Sequence, residues 1–167
     1  MTPAPPITHS APPITPTGLA ALRARYDHLL GTERPAIVEI VSWAAGNGDR
    51  SENGDYLYGR KRMREIDREL AFLARRMKIL RPVDPAGQQD RGKVWFGATV
   101  TIADEDDNHR TVTIVGDDEQ DASAARIGWS APMARALRGA AVGDLRKVAL
   151  PAGEKEWEVI EIGYPGD

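Results

Sequence analysis

The sequence predicts an α+β protein: a long antiparallel α-helical coiled-coil hairpin first, then a small, mainly antiparallel sheet domain with one short helix. Three observations predict it. Two apolar runs at helical spacing, in residues 19–45 and 63–80, adjoin across a glycine-rich segment. The period then changes to the alternation of β-branched and aromatic residues that marks strands. Charge divides at the same place: residues 1–80 carry 12 Lys and Arg against 9 Asp and Glu, residues 81–167 carry 10 against 16. Such asymmetry marks two modules with different surroundings.

Composition excludes several classes of function. The 167 residues are 41% hydrophobic and 28% charged, with a net charge of −3. No stretch approaches the roughly 18–20 apolar residues of a spanning helix, so no membrane role is expected. Cysteine is absent, which removes disulfides and thiolate-bound zinc or iron–sulfur clusters. His9, His28 and His109 lie far apart in sequence and do not suggest a metal site. No P-loop, Rossmann fingerprint or nucleophile elbow occurs.

Residues 1–17 hold six of the twelve prolines and read as a disordered, polyproline-like tail without the basic start and long apolar run of a secretory signal. We read no internal repeats. Residues 18–81 form the hairpin. In its first helix Leu22, Tyr26, Leu29, Ile37, Ile40 and Ala44 follow steps of three and four, with Glu33 filling the gap. Thr17 is the expected N-cap. Pro35 should bend or divide the helix, and Gly46-Asn47-Gly48 should end it. In the second helix Met63, Ile66, Leu70, Leu73, Met77 and Leu80 are spaced 3, 4, 3, 4, 3, an a/d heptad seam. Pro82 sets its limit. Two helices of about 27 residues make a finger roughly 40 Å long at ~1.5 Å per residue.

Residues 82–92 have linker composition. Strands are then expected at Lys93–Ile102 and Arg110–Val115, separated by an acidic turn, and at Leu145–Leu150 and Glu156–Ile162 across a Pro-Ala-Gly turn. Ser130 should cap a short helix ending at Leu137.

The chemistry concentrates at the hairpin tip, residues 46–55, which holds Asp49, Glu52 and Asp55. If the second helix begins near Ser51, the Asp49 and Glu52 carboxylates can converge beyond its end. Two carboxylates with room for water suit Mg²⁺, which takes oxygen ligands and often only one or two from a protein. On pattern alone, capping and solubility are the stronger explanation of acids near a helix start. An EF-hand does not fit, because Gly and Glu fall at the wrong offsets. Residues 60–78 carry eight Lys and Arg against three acids, a charge that attracts phosphates. A solvated helix face is the alternative. Tyr56 and Tyr58 can stack on a base, but packing on the first helix is the stronger expectation.

The segment WAAGNGDRSENGDYLYGRKRMREIDRELAFLARRMKILRPVDP resembles the coiled-coil domain of the Gre family of bacterial transcript cleavage factors. Its GDRSEN-x-DY stretch and the basic run after it are closer to the GreB type than to GreA. The resemblance continues through VWFGATVTI, TIVGDDE, SAPMARAL, VGD and PAGEKEWEVIEI, covering residues 18–164. It implies a coiled coil followed by an FKBP-like domain at residues 93–164 that docks on RNA polymerase.

It further implies a non-catalytic, cytoplasmic and monomeric cofactor. Such a factor inserts its coiled coil into the polymerase's secondary channel and stimulates the enzyme's own cleavage of nascent RNA in backtracked complexes. The matching acidic pair is Asp49 and Glu52, which would share a transient Mg²⁺ with the polymerase. Ser51, Asn53, Asp55 and Tyr56 support the tip. Arg60, Lys61, Arg62, Arg64 and Arg68 would face the RNA 3′ segment. Gly54 departs from the alanine usual in that signature. Two other readings of the architecture are a secondary-channel inhibitor and, from the FKBP-like fold, a peptidyl-prolyl isomerase.

Overall fold

The computed structural model describes residues 11–47 and 53–167. It divides into two compact units. One is Leu19–Ile79; the other joins the segment up to Gly18 with Leu80–Asp167.

The helical unit is built from α1 (Pro16–His28, whose first turn belongs to the other unit), a π-helical turn (Leu29–Glu33), α2 (Arg34–Ala45) and α3 (Gly54–Ile79). Thr15, not Thr17, caps α1: its Oγ1 accepts from the Gly18 N–H at 3.0 Å, with Pro16 in the first helical position. Pro35 does not break the chain. The π turn before it closes with the Arg34 N–H donating to Leu29 O, five residues back. The inserted residue places Pro35 in the first turn of α2, where no N–H is demanded.

Leu29, Ile66, Leu70 and Leu73 are buried between the helices, flanked by Leu22, Tyr26, Ile37 and Met77. The α3 seam therefore packs as its spacing demands. On α2 the inward positions are Ile37, Val41 and Ala44, whereas Ile40 is 40% exposed. After the π turn the inward phase steps by four and then three. Extrapolating through residue 33 missed that shift.

Glu33 sits in this seam and accepts from Arg25 at 3.0 Å and Arg62 at 3.1 Å. Arg25 also donates to Glu69 and Arg34 to Asp67, both at 2.8 Å. Arg25 of α1 meets Glu69 far along α3, whereas Val41 of α2 meets Gly59 near its start, so the helices are antiparallel. A polar group inside an apolar seam fixes register, because only one alignment satisfies it.

In the second unit the sheet order is β5-β4-β3-β7-β6, with β3 Thr99–Ala103, β4 His109–Val115, β5 Arg126–Gly128, β6 Leu145–Leu150 and β7 Gly153–Gly163. All pairings are antiparallel except β4 with β5. Val100, Ile102, Val112 and Ile114 alternate inward, against Met133, Ala134 and Leu137 of α4 (Pro132–Leu137) and Val148, Trp157 and Val159 of β6 and β7. On the opposite face the Thr99–Thr113 and Thr101–Thr111 hydroxyls hydrogen-bond across strands at 2.9 and 3.0 Å.

Four expectations change here. The strand predicted from Lys93 begins only at Thr99, because Gly97 (φ +86°) turns the chain and Pro85 lies where a Cβ would stand. Ala131 is the N-cap of α4, while Ser130 bonds Asp117 through Oγ (2.7 Å) and its N–H (2.9 Å).

The residue 82–92 linker is folded onto the unit: Arg91 donates to Ala86 O at 2.8 Å and Pro165 O at 3.1 Å, and pairs with Asp167. Within the proline-rich tail, β1 (Pro13–Ile14) pairs in parallel with β2 (Arg81–Pro82). The bonds use the carbonyls of residues 12 and 14, which prolines keep, so the missing N–H groups do not matter.

Candidate functional site

The site is the end of the hairpin where α2 and α3 meet. Gly46 ends α2, its N–H reaching Trp43 O at 3.1 Å. Asn53 begins α3. Its Oδ1 accepts from the Tyr56 N–H at 3.1 Å, and its Nδ2 donates to Ala44 O at 2.8 Å. One amide thus caps α3 and adds a second bond to a last-turn carbonyl of α2, which also accepts from the Asn47 N–H at 3.1 Å.

Six residues above the cap, the helices draw close. A Cβ on Gly59 would stand 2.6 Å from Val41 Cγ2, so only glycine permits this approach. The helix expected to begin near Ser51 is described from Gly54, with the Asn53 side chain taking the Tyr56 N–H.

Asp49, Ser51 and Glu52 lie outside the described residues, as does the convergence expected of the carboxylates. They occur in the sequence between the two helix ends that Asn53 ties together. Asp55 is exposed in the first turn of α3, where a negative charge favours the helix dipole. Tyr56 is half-buried, with the Arg60 guanidinium 5.9 Å from its ring centroid. Tyr58 is 61% exposed, so it does not pack on the first helix as expected.

The basic run divides in two. Arg60, Lys61, Arg64 and Arg68 are exposed and make no ion pair among the described residues. Arg62, expected with them, is half-buried and bonded to Glu33 and to Glu65 (3.3 Å). Glu33 first, then Glu65, raises its pKa. The three acids expected to dilute the basic face are all engaged: Glu65 with Arg62, Asp67 with Arg34, and Glu69 with Arg25. Arg25 holds the Glu69 carboxyl below its ordinary pKa against a small burial penalty.

Sequence comparison decides the family. Residues 12–81 match the family described as "Transcription elongation factor, N-terminal", and residues 88–164 match "Transcription elongation factor, GreA/GreB, C-term". "Transcription elongation factor GreB" of Neisseria meningitidis serogroup B is 48% identical over 151 residues, covering 90% of this chain and 93% of that protein. The chain belongs to the GreA/GreB family. Its likeness is to the GreB type: the Pseudomonas aeruginosa factor of that name is 45% identical over 166 residues, 96% of this chain and 95% of its own. The solved GreA/GreB factor of Nitrosomonas europaea aligns over 92% of this chain and 99% of its own, with 21% identity and a TM-score of 0.41.

This GreB-like factor is a transcription elongation factor, and no helix among its described residues is long and apolar enough to cross a membrane. Sequence reasoning placed Asn53 in the signature but missed its clamp to Ala44. It noted Glu33 as a gap in the apolar pattern without finding its arginine partners. A lone carboxylate inside an apolar helical stripe was the signal for those.

Proposed function

We propose that this factor binds RNA polymerase, enters its secondary channel with the hairpin, and stimulates the polymerase's own cleavage of nascent RNA in backtracked, arrested complexes. The observation that supports this reading best is the closure of the hairpin by Asn53, which bonds Ala44 O and caps α3. In the sequence, Asp49 and Glu52 stand between the two helix ends that Asn53 joins. The exposed cations Arg60, Lys61, Arg64 and Arg68 come within the next four turns. In this reading they attract the phosphates of the extruded RNA 3′ segment, and the carboxylates act on the scissile bond beyond it.

The donor set fits Mg²⁺: two carboxylates, with no thiolate or imidazole in residues 46–55. Two protein oxygens leave most of the coordination sphere to waters, RNA and the polymerase, so the factor alone would hold the ion weakly. Such an ion, held by Asp49 and Glu52, would lower the pKa of a water and offset charge on the phosphate. The chain's own part is to carry the two carboxylates between its joined helix ends.

The isomerase reading fares worse, because Phe96 and Trp157 are at most 7% exposed and serve the core rather than a pocket.

The test is RNA cleavage in a stalled, backtracked elongation complex. Wild-type protein should stimulate it, and Asp49→Ala with Glu52→Ala should abolish the stimulation while polymerase binding persists. Protein without polymerase should cut nothing. Wild-type cleavage by the double variant removes the acidic pair from the mechanism. Slowed RNA synthesis without cleavage would identify an inhibitor of the same architecture.

A further inference from the structure

The N-terminal arm, read from its composition as free of repeats, holds one. Ala4-Pro5-Pro6-Ile7-Thr8 is identical to Ala11-Pro12-Pro13-Ile14-Thr15, seven residues later. The second copy is the segment built into the sheet unit. Ile14 is fully buried and Pro13 is buried with it. Pro12 O accepts from the Arg81 N–H at 2.9 Å, and Ile14 O from the Val83 N–H at 2.8 Å. The Thr15 N–H donates to Glu119 Oε2 at 3.0 Å, and the Thr15 hydroxyl donates to Glu119 Oε1. The cradle is shaped for this chain, since a Cβ on Gly116 would lie 2.7 Å from Pro13 O. The Gly116 N–H holds the Glu119 carboxylate at 2.8 Å from the other side.

Every recognised group recurs in the first copy: the carbonyls of Pro5 and Ile7, the apolar bodies of Pro6 and Ile7, and the N–H and hydroxyl of Thr8. We propose that Ala4–Thr8 is a second ligand for this cradle, able to replace Ala11–Thr15 by a seven-residue slip within one chain.

The two copies differ in the residues after their threonines. Thr15 also accepts from the Gly18 N–H and so caps α1. Three residues after Thr8 stands Ala11, succeeded by two prolines, which no helix can use. Ala11–Thr15 is thus the preferred occupant and Ala4–Thr8 the reserve. In the slipped state residues 9–15 would become extra chain between cradle and α1, with a reach of up to about 23–25 Å at ~3.3–3.6 Å per residue. The slip would loosen one of the two chain connections between the units while keeping the cradle filled.

The test uses the full-length protein with Ile7→Ala, Ile14→Ala and the double variant. Thermal melting should leave Ile7→Ala at the wild-type midpoint, lower Ile14→Ala modestly, and lower the double variant by clearly more than the two single shifts combined. Amide hydrogen exchange reads the slip directly: in Ile14→Ala, protection should move from the Thr15 N–H to the Thr8 N–H. A double variant that melts with Ile14→Ala, or a Thr8 amide that stays unprotected there, overturns the proposal. So does a melting midpoint of Ile14→Ala that rises with protein concentration, since that would mark exchange between two copies.

Discussion

Asn53 joins two helix ends with one side chain, and its two bonds can be separated by mutation. Asn53→Asp keeps the acceptor for the Tyr56 N–H but removes the donor to Ala44 O. Asn53→Ala removes both. Loss of an N-cap costs about 1 kcal/mol. Asn53→Ala should therefore lower stability by roughly that or more, with Asn53→Asp in between, read from helical melting by circular dichroism. Equal stability of all three would mean that neither bond matters.

Asp104 offers a test by pH. Its side chain is 1% exposed and accepts from Lys155 Nζ at 2.8 Å, from the Asn108 N–H at 2.9 Å and from the Asp106 N–H at 3.0 Å. Lys155 first, then the Asn108 amide, holds its carboxyl well below the ordinary carboxylate range. A depressed folded pKa stabilises above the unfolded value of about 3.9 and loses that contribution as pH falls toward the folded value. Asp104→Asn should thus melt lower than wild type at pH 7, and the gap should narrow below pH 4. A gap that stays constant with pH would show that charge is not what Asp104 contributes.

Among the elements, α3 was the most legible, because a 3-4 heptad repeat leaves one face for burial, and Ile66, Leu70 and Leu73 occupy it. Its start was less legible. Both Ser51 and Asn53 are capping residue types, and the choice rests on which side chain reaches a free N–H. The other helix was harder still. Beyond the π turn Ile37 and Ala44 lie inward as expected, but Val41 rather than Ile40 lies between them. Ile40 is exposed, and Val41 stands against Gly59. Gly97 hid the true start of β3 in a run rich in β-branched and aromatic residues.

The Gly59 contact makes its own prediction. Gly→Ala inside a helix ordinarily gains about 1 kcal/mol of propensity. Here the added methyl meets Val41 Cγ2, on a β-branched side chain with little freedom at χ1. Overpacking costs about 1–3 kcal/mol, so Gly59→Ala should be neutral to destabilising. Val41→Ala in the same chain should restore the propensity gain. A stabilised Gly59→Ala single variant would show that the helices part without penalty.

At the scale of the molecule, the chain enters the sheet unit twice. Residues up to Gly18 and residues 80–167 form one unit, with the hairpin inserted between β1 and β2. Composition concealed this, because a proline-rich stretch reads as solvated until its carbonyls find the Arg81 and Val83 amides. No single cut can therefore separate the units. A fragment of residues 80–167 lacks the fully buried Ile14, worth about 1.5–3 kcal/mol of apolar burial, and leaves Glu119 without the Thr15 bonds. It should melt below a chain in which residues 19–79 are replaced by a Gly/Ser linker of about eight residues.

That hairpin-less chain also tests how the work is divided. A finger alone offers little contact area, and stable interfaces need about 1,200 Å² or more. The sheet unit should then supply most of the affinity for polymerase. The linker chain should compete with the full-length protein in binding and stimulate no cleavage. If instead it fails to compete while folding normally, the hairpin and not the sheet unit holds the docking surface.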